Sequence, residues 1–255
     1  MTKIVMTGGN GRVGRELQNW GIEPLLCDIT DPSHVLDSVS SSKPDIIVHL
    51  AAISDVDWCE KPENGQAVIE TNLRGTYNLL DAAEKLKTQV VMLSSDHVFD
   101  GKWGWLRGYR EDSTPHPINF YGQSKLAAES LAETYPNFKV VRTSYLFNRE
   151  RLKGKELQSQ PTFIHRSFMY LPHFASRLLQ YLGKFDEMPT ITHIAGSKSV
   201  SWYTFMSEFE DVSPRDVEIP LEAPRPHYAG LKTKYKFFTP ISYEAGIAEM
   251  LGSDL

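Results

Sequence analysis

The chain has 255 residues, 41% of them hydrophobic and 23% charged, with a formal net charge of -5, a composition that fits an ordinary globular protein and excludes a disordered or collagen-like one. Mild acidity argues against a nucleic-acid or membrane-surface partner, and no apolar run approaches the ~20 residues that span a bilayer. Cys27 and Cys59 lack CxxC spacing and the histidines show no HxH or HExxH pattern, so reduced thiols in a cytoplasmic setting and no metal site are expected.

Ile4 to Met6 read as a buried strand, not a signal peptide. The strand runs into the turn Thr7-Gly8-Gly9-Asn10-Gly11-Arg12-Val13-Gly14, and Arg15 to Trp20 then read as a helix. Gly8, Gly11 and Gly14 have separate tasks: a tight turn, close approach of backbone to a pyrophosphate, and close packing of helix on strand. The helix N-terminus adds N–H groups and partial positive charge for phosphates. Strand, glycine turn and helix in that order point to dinucleotide binding, with a plain glycine turn as the alternative.

Pro24 to Cys27 give a second short strand, after which Asp28 and Ile29 lie where an adenosine would be met. Asp28 follows Gly14 by fewer than the ~20 residues usual for a ribose-binding acid, so it either serves the adenosine or caps the helix begun by Asp31-Pro32-Ser33. No arginine closely follows this strand, which favours NAD over NADP, although Arg12 could meet a 2′-phosphate.

The run Asp45 to Leu50 suits a strand buried on both faces. It ends in Ala51 and Ala52, small enough for a cofactor to lie across the strand's carboxyl end. Pro62 to Lys87 is amphipathic at helical spacing; Asn72 within it has a bland reading as a locally bonded helix side chain. Gln89 to Leu93 form another strand, with Ser95, Asp96 and His97 just beyond its carboxyl end, where ligands of such sheets gather. Trp103 and Trp105 read as stacking residues at a cleft mouth or as loop packing. Asn119 to Leu131 read as a helix and Phe138 to Arg142 as a strand.

Beyond this point the alternation is irregular. Residues 148–160 read as a surface connection or short helix, Thr162 to Met169 as a strand and Pro172 to Leu182 as a helix. Ile191 to Gly196 read as a strand returning to the sheet, Trp202 to Phe209 as a helix capped by Ser199 or Ser201, and Ser242 to Leu251 as a terminal helix. Proline-rich 214–226 suits a smaller lobe. The repeated βα units predict an α/β fold with a doubly wound parallel sheet: a dinucleotide-binding unit over 1–147, and a small, shortened C-terminal lobe over 148–255 from which 191–209 rejoin the sheet.

A tyrosine precedes a lysine by four residues at Tyr121–Lys125, Tyr135–Lys139 and Tyr228–Lys232. Pro136 and Gly230 argue against regular helix in the last two, leaving Tyr121–Lys125 on one helix face. Such a pair suits reversible hydride transfer at a carbinol carbon: a nearby ammonium lowers the phenol's ordinary pKa of ~10, and Ser95 would hold the substrate oxygen while Tyr121 transfers the proton. The bland alternative is a core tyrosine, a solvated lysine and a helix-capping serine.

Taken together, TGGNGRVGREL, DITDPSHV, PDIIVHLAAISDVDWCE, the ETN ending at Asn72, SSDHVFDG, EDSTPHPINFYGQSKLAAE, VRTSYLF, ITHIAGS and RPHYAGLKT resemble an extended short-chain dehydrogenase/reductase, and most of all the dTDP-4-dehydrorhamnose reductase family. The resemblance implies a Rossmann fold and reduction of a 4-keto nucleotide-sugar by NADH or NADPH. It implies Ser95, Tyr121 and Lys125 as catalytic residues. Gly8, Gly11, Arg12, Val13, Gly14, Asp28, Ile29, Leu50, Ala51, Ala52 and Asn72 would lie at the cofactor, with Asp96, His97 and Tyr145 beside Ser95 at the substrate. It also leaves room for a homodimer.

The chain departs from the family's pattern at His97 (commonly tyrosine), His49 (commonly asparagine) and Tyr145 (often tryptophan), and the lobe after Phe147 is expected to be remodelled. A nucleotide-sugar epimerase or dehydratase is an alternative on the same scaffold. So is a non-catalytic regulatory subunit, as in a branch that partners methionine adenosyltransferase.

Overall fold

The computed structural model is described for residues 2–102, 108–152, 159–209, 213–215 and 223–252. Its first elements are β1 (Ile4–Thr7), α1 (Arg12–Asn19), β2 (Glu23–Pro24), α2 (Pro32–Ser42), β3 (Ile46–His49), α3 (Val56–Glu60) and α4 (Gly65–Val68). A π-helical segment, Ile69–Arg74, leads into α5 (Gly75–Leu86), β4 (Gln89–Ser95), α6 (Phe120–Ser130) and β5 (Phe138–Thr143). Then follow β6 (Leu146–Phe147), α7 (Arg149–Leu152), β7 (Ser159–Pro161), β8 (His165–Arg166), β9 (Met169–Tyr170), α8 (Leu171–Leu182) and β10 (Ile191–His193). The described chain closes with β11 (Val200–Ser201), α9 (Trp202–Met206), β12 (Ser213–Arg215) and α10 (Tyr243–Leu251).

Six parallel strands form one sheet in the order β10-β5-β4-β3-β1-β2, the doubly wound architecture expected. Successive strand residues serve opposite cores: Met6, Ile46, Val48, Val91 and Val141 face α1 and α8, while Val5, Ile47, Val90, Met92 and Val140 face α2 and α5. That alternation is the consequence of the period-two strand, and burial of both faces explains the near-continuous apolar runs. Strand order reverses beside β1, with β2 on one side and β3 on the other. Such a switch point opens a crevice at the carboxyl ends of the strands.

Two differences from expectation have local causes. The second strand pairs only through Glu23 and Pro24; Pro24 has no N–H to give, and this is the sheet's edge, where proline is tolerated. Thr162 to Met169 are two short strands rather than one, because β8 pairs with β11 and β9 with β6. Between those strands Phe168 stacks on Phe205, with ring centroids 3.9 Å apart.

Past Phe147 the chain divides its service. Helix α8 covers the main sheet and β10 extends it, whereas β11 and α9 lie in or against an aromatic cluster of Phe147, Phe168, Phe205 and Tyr243. Rejoining of the sheet is therefore confined to 191–193 within 191–209, and α8 joins the same unit. Trp103, Trp105, residues 153–158 and residues 216–222 lie outside the described residues.

Candidate active site

Helix α6 presents the tyrosine and lysine. Asn119 caps it, its side-chain oxygen accepting from Gly122 N at 2.8 Å, as a short polar residue before a helix does. Gly122 has no alternative at this point, since a Cβ there would strike the His97 carbonyl. The far end is held to the sheet by a buried ion pair: Arg142 on β5 donates to both carboxylate oxygens of Glu129, the shortest contact 2.6 Å. Tyr121 thereby lies beside the carboxyl end of β4, and Lys125, one turn on, near His49 at the end of β3. The other two tyrosine–lysine pairs have no such setting: Lys139 donates to the carbonyls of Phe185 and Met188, and Lys232 is exposed on an irregular segment.

At the end of β4, Ser95 Oγ donates to Asp96 at 3.1 Å and accepts from His97 N at 3.2 Å, and its hydroxyl lies near the Tyr121 phenol. Asp96 is buried, and its other oxygen accepts from Ser144 Oγ at 2.6 Å and pairs with Arg166 at 3.4 Å. Expected at the substrate, the Asp96 carboxylate is instead turned inward, where it orients Ser95.

His97 is held in one tautomer. The Asn119 amide oxygen is taken by Gly122 N, so its nitrogen is the donor to His97 Nδ1 at 2.9 Å and to Pro224 O at 2.9 Å. An accepting Nδ1 puts the proton on Nε2. Burial lowers the His97 pKa to about 4, so the ring is neutral at pH 7, edge-on to Tyr121 with centroids 5.7 Å apart.

Burial raises the Tyr121 pKa well above its ordinary value, against the neighbouring Ser95 hydroxyl, which lowers it. Lys125, 3% exposed, has its pKa lowered by burial to about 8, and no described residue hydrogen-bonds its ammonium. At Tyr121 desolvation dominates, with the nearby Arg12 charge acting the other way, and the phenol is held protonated.

The opposite wall is the glycine turn. Gly8 has φ +72°, and a Cβ on it would lie 2.6 Å from Ala51 N, so the turn closes directly on the end of β3. Gly14 lies against Gly8 and Gly9, with Gly11 and Val13 at the start of α1. The two halves of this wall are tied by a relay: Thr7 Oγ1 donates to His49 Nδ1 at 2.7 Å, His49 Nε2 to Thr76 Oγ1 at 3.0 Å, and Thr76 Oγ1 to Asn72 O at 2.7 Å. The direction follows from Thr76, whose single proton goes to the Asn72 carbonyl.

Two expected cofactor residues stand differently from their expected roles. Asn72 is 1% exposed; it accepts from Ile53 N at 2.8 Å and donates to Ile53 O and Ser124 Oγ at 3.0 and 2.9 Å. Its amide thus fastens the Ala51–Ile53 segment to α6 rather than pointing into the crevice. Ile29 is buried under α5, where a Cβ on Gly75 would meet its side chain. Arg12 donates to Leu146 O at 3.3 Å. Asp28 is exposed and accepts from Thr30 N and Oγ1. The cap of α2 is Asp31, which decides between the two readings of that stretch. Leu50, Ala51 and Ala52 are half-buried along the crevice, and Tyr145 accepts from Arg151 Nε at 2.8 Å.

A family model described as the RmlD substrate binding domain matches residues 1–166. The chain belongs to the RmlD substrate binding domain family. This RmlD-family chain is 29% identical over 263 residues to the spore coat polysaccharide biosynthesis protein SpsK of Bacillus subtilis, covering 96% of this chain and 90% of that one. It is 29% identical over 231 residues to dTDP-4-dehydrorhamnose reductase of Aggregatibacter actinomycetemcomitans, covering 80% and 77% of the two chains. The structure of dTDP-4-dehydrorhamnose reductase from Bacillus anthracis in complex with NADP superposes with a TM-score of 0.88 at 28% identity, over 98% of this chain and 99% of that one. The resemblance read from the sequence is borne out.

Sequence reasoning missed Asn119, Arg166, Ser144 and the Asp57–Arg225 pair at 2.7 Å, which holds the segment after Ala223 beside α3. All act through contacts distant in sequence. Only Asn119 carried a local signal, as a cap before a helix.

Proposed function

We propose that this chain is an NAD(P)H-dependent oxidoreductase that reduces a 4-keto nucleotide-sugar to the 4-hydroxy sugar. The observation that carries the reading is the nearness of Tyr121 to Ser95 at the end of β4, with Lys125 buried one turn further along α6 and the glycine turn at the end of β1, two strands away. The residues fit the cofactor: Gly8 permits the close turn, Gly11, Val13 and Gly14 would seat the phosphates, and Lys125 would bond the nicotinamide ribose. When bound, the nicotinamide supplies the hydride. Ser95 and Tyr121 would engage the carbonyl oxygen, and Tyr121 would give it the proton. Asp96 loses the Ser95 bond as that hydroxyl swings to substrate, but keeps Ser144 and Arg166, so the exchange leaves no bare buried charge. Asp28 remains the candidate for the adenosine, and His97 and Tyr145 for the substrate.

The activity of the reductase relatives, the NADP of the Bacillus anthracis structure and the family membership support this reading. It is consistent with a cytoplasmic enzyme and with a homodimer. The test is loss of reduced-nicotinamide absorbance with NADH and with NADPH against a panel of 4-keto nucleotide-sugars, dTDP-4-dehydrorhamnose first. Stoichiometric oxidation by one of them is expected. Cofactor that stays bound with no net oxidation across the panel would contradict the proposal.

A further inference from the structure

A second opening lies at the far edge of the sheet. Residues 231–241 cross the carboxyl end of β10 as an irregular strap. It is fastened where His193 Nδ1 donates to Lys232 O at 2.9 Å, Arg177 on α8 to Thr239 O at 3.0 Å, and Ser197 N to Ile241 O at 3.0 Å. Between the strap, α8 and the end of β10 is a cavity of about 190 Å³. Strand β10 stands two places from β4, and none of the residues assigned to cofactor or substrate lines this cavity.

The cavity has an apolar floor and a one-sided charge. Met169, Ile194 and Leu231 are buried in it, with Phe238 half-buried beside them. Arg177 and Lys232 also line it and no acidic residue does; among the described residues neither cation has a carboxylate partner. Arg177 spends two of its five N–H groups, on Gln180 Oε1 and Thr239 O, which leaves donors free. The Lys232 ammonium makes no hydrogen bond to a described residue. In a chain of net charge -5, such an acid-free opening is a local exception that attracts anions within a Debye length of about 10 Å.

We propose that this cavity is a binding site, separate from the reaction crevice, for a small organic anion whose apolar body rests on Met169, Ile194 and Leu231 and whose acid group is held by Arg177 and Lys232. An apolar cavity of about 150 Å³ takes benzene, so a six-membered ring bearing one acid group is of the size that fits. Burial of the ring supplies affinity, and the guanidinium fork selects a carboxylate or phosphate. A neutral ring lacks one of these contacts and an inorganic anion the other.

The test is a methyl NMR titration of the full chain with phenyl phosphate, benzyl alcohol and inorganic phosphate, with neither cofactor nor turnover required. Phenyl phosphate should move the methyl signals of Met169, Ile194 and Leu231 and bind more tightly than either fragment. Lys232→Gln removes an exposed ammonium that no described residue uses, so the fold is kept. It and Arg177→Gln should each weaken phenyl phosphate roughly 10-fold. Shifts confined to Val13 and Leu50 at the crevice would overturn the proposal, as would no shifts at all. Equal affinity for benzyl alcohol and phenyl phosphate, or wild-type affinity in either variant, would also overturn it. Because binding alone is read, failure of the reductase assay leaves this site standing, and failure here leaves the proposed reaction untouched.

Discussion

The Asn119 amide serves Gly122, His97 and Pro224 at once, so a change there acts on both helix and site. Asn119→Asp keeps the cap but places a carboxylate against His97 Nδ1. A neighbouring negative charge favours imidazolium, so the His97 pKa, about 4 in the native chain, should rise toward its ordinary range. Titration of the ring by NMR checks this; an unchanged midpoint would show that the Asn119 contact does not set the protonation state. Asn119→Ala should also lower stability by about 1 kcal/mol, the usual worth of a cap. Ser95, Tyr121 and Lys125 were legible because strand-end position and four-residue spacing are local properties. The tautomer of His97 was not, since its partner Asn119 lies 22 residues along the chain and Pro224, which fixes the Asn119 amide, a further 105.

At the scale of elements, α6 owes its placement to the Glu129–Arg142 pair, whose side chains are each 2% exposed. Removing one partner strands a buried charge. Glu129→Ala should therefore cost about 3–5 kcal/mol by denaturant unfolding, and Glu129→Leu combined with Arg142→Met should cost less than the single change. A single change without effect would mean that the pair does not anchor the helix. The strands of the main sheet were readable from apolar runs, and α6 from its cap and spacing. The π-helical segment around Asn72 was not, because its wider turn serves contacts to Ile53 and Ser124 that no helical period encodes. The merged strand over Thr162 to Met169 failed for a related reason: which neighbour each half pairs with is decided by the fold, not by propensity.

Across the whole molecule, four histidines have their pKa lowered by burial: His49, to about 3, His97, to about 4, and His165 and His193. An unfolded histidine titrates near 6.5. As pH falls below that value the unfolded chain takes up protons that the native chain refuses, so stability is intact above pH ~6.5 and declines toward pH ~4. Unfolding midpoints measured across that range should fall steadily; a flat profile would mean that these rings are not buried neutral. The two-walled crevice was foreseeable from the order of the motifs, but not the return of α8 to the sheet or the course of the chain after Phe147. There the irregular pattern carries no period to read.

The central claim is that Tyr121 gives the proton. Tyr121→Phe keeps the ring against His97 and removes only the hydroxyl. With the keto-sugar found in the panel, kcat should fall by roughly 10²–10⁴-fold or more, the usual contribution of a general acid, while NADPH affinity stays unchanged. Turnover undiminished in that variant would contradict the account.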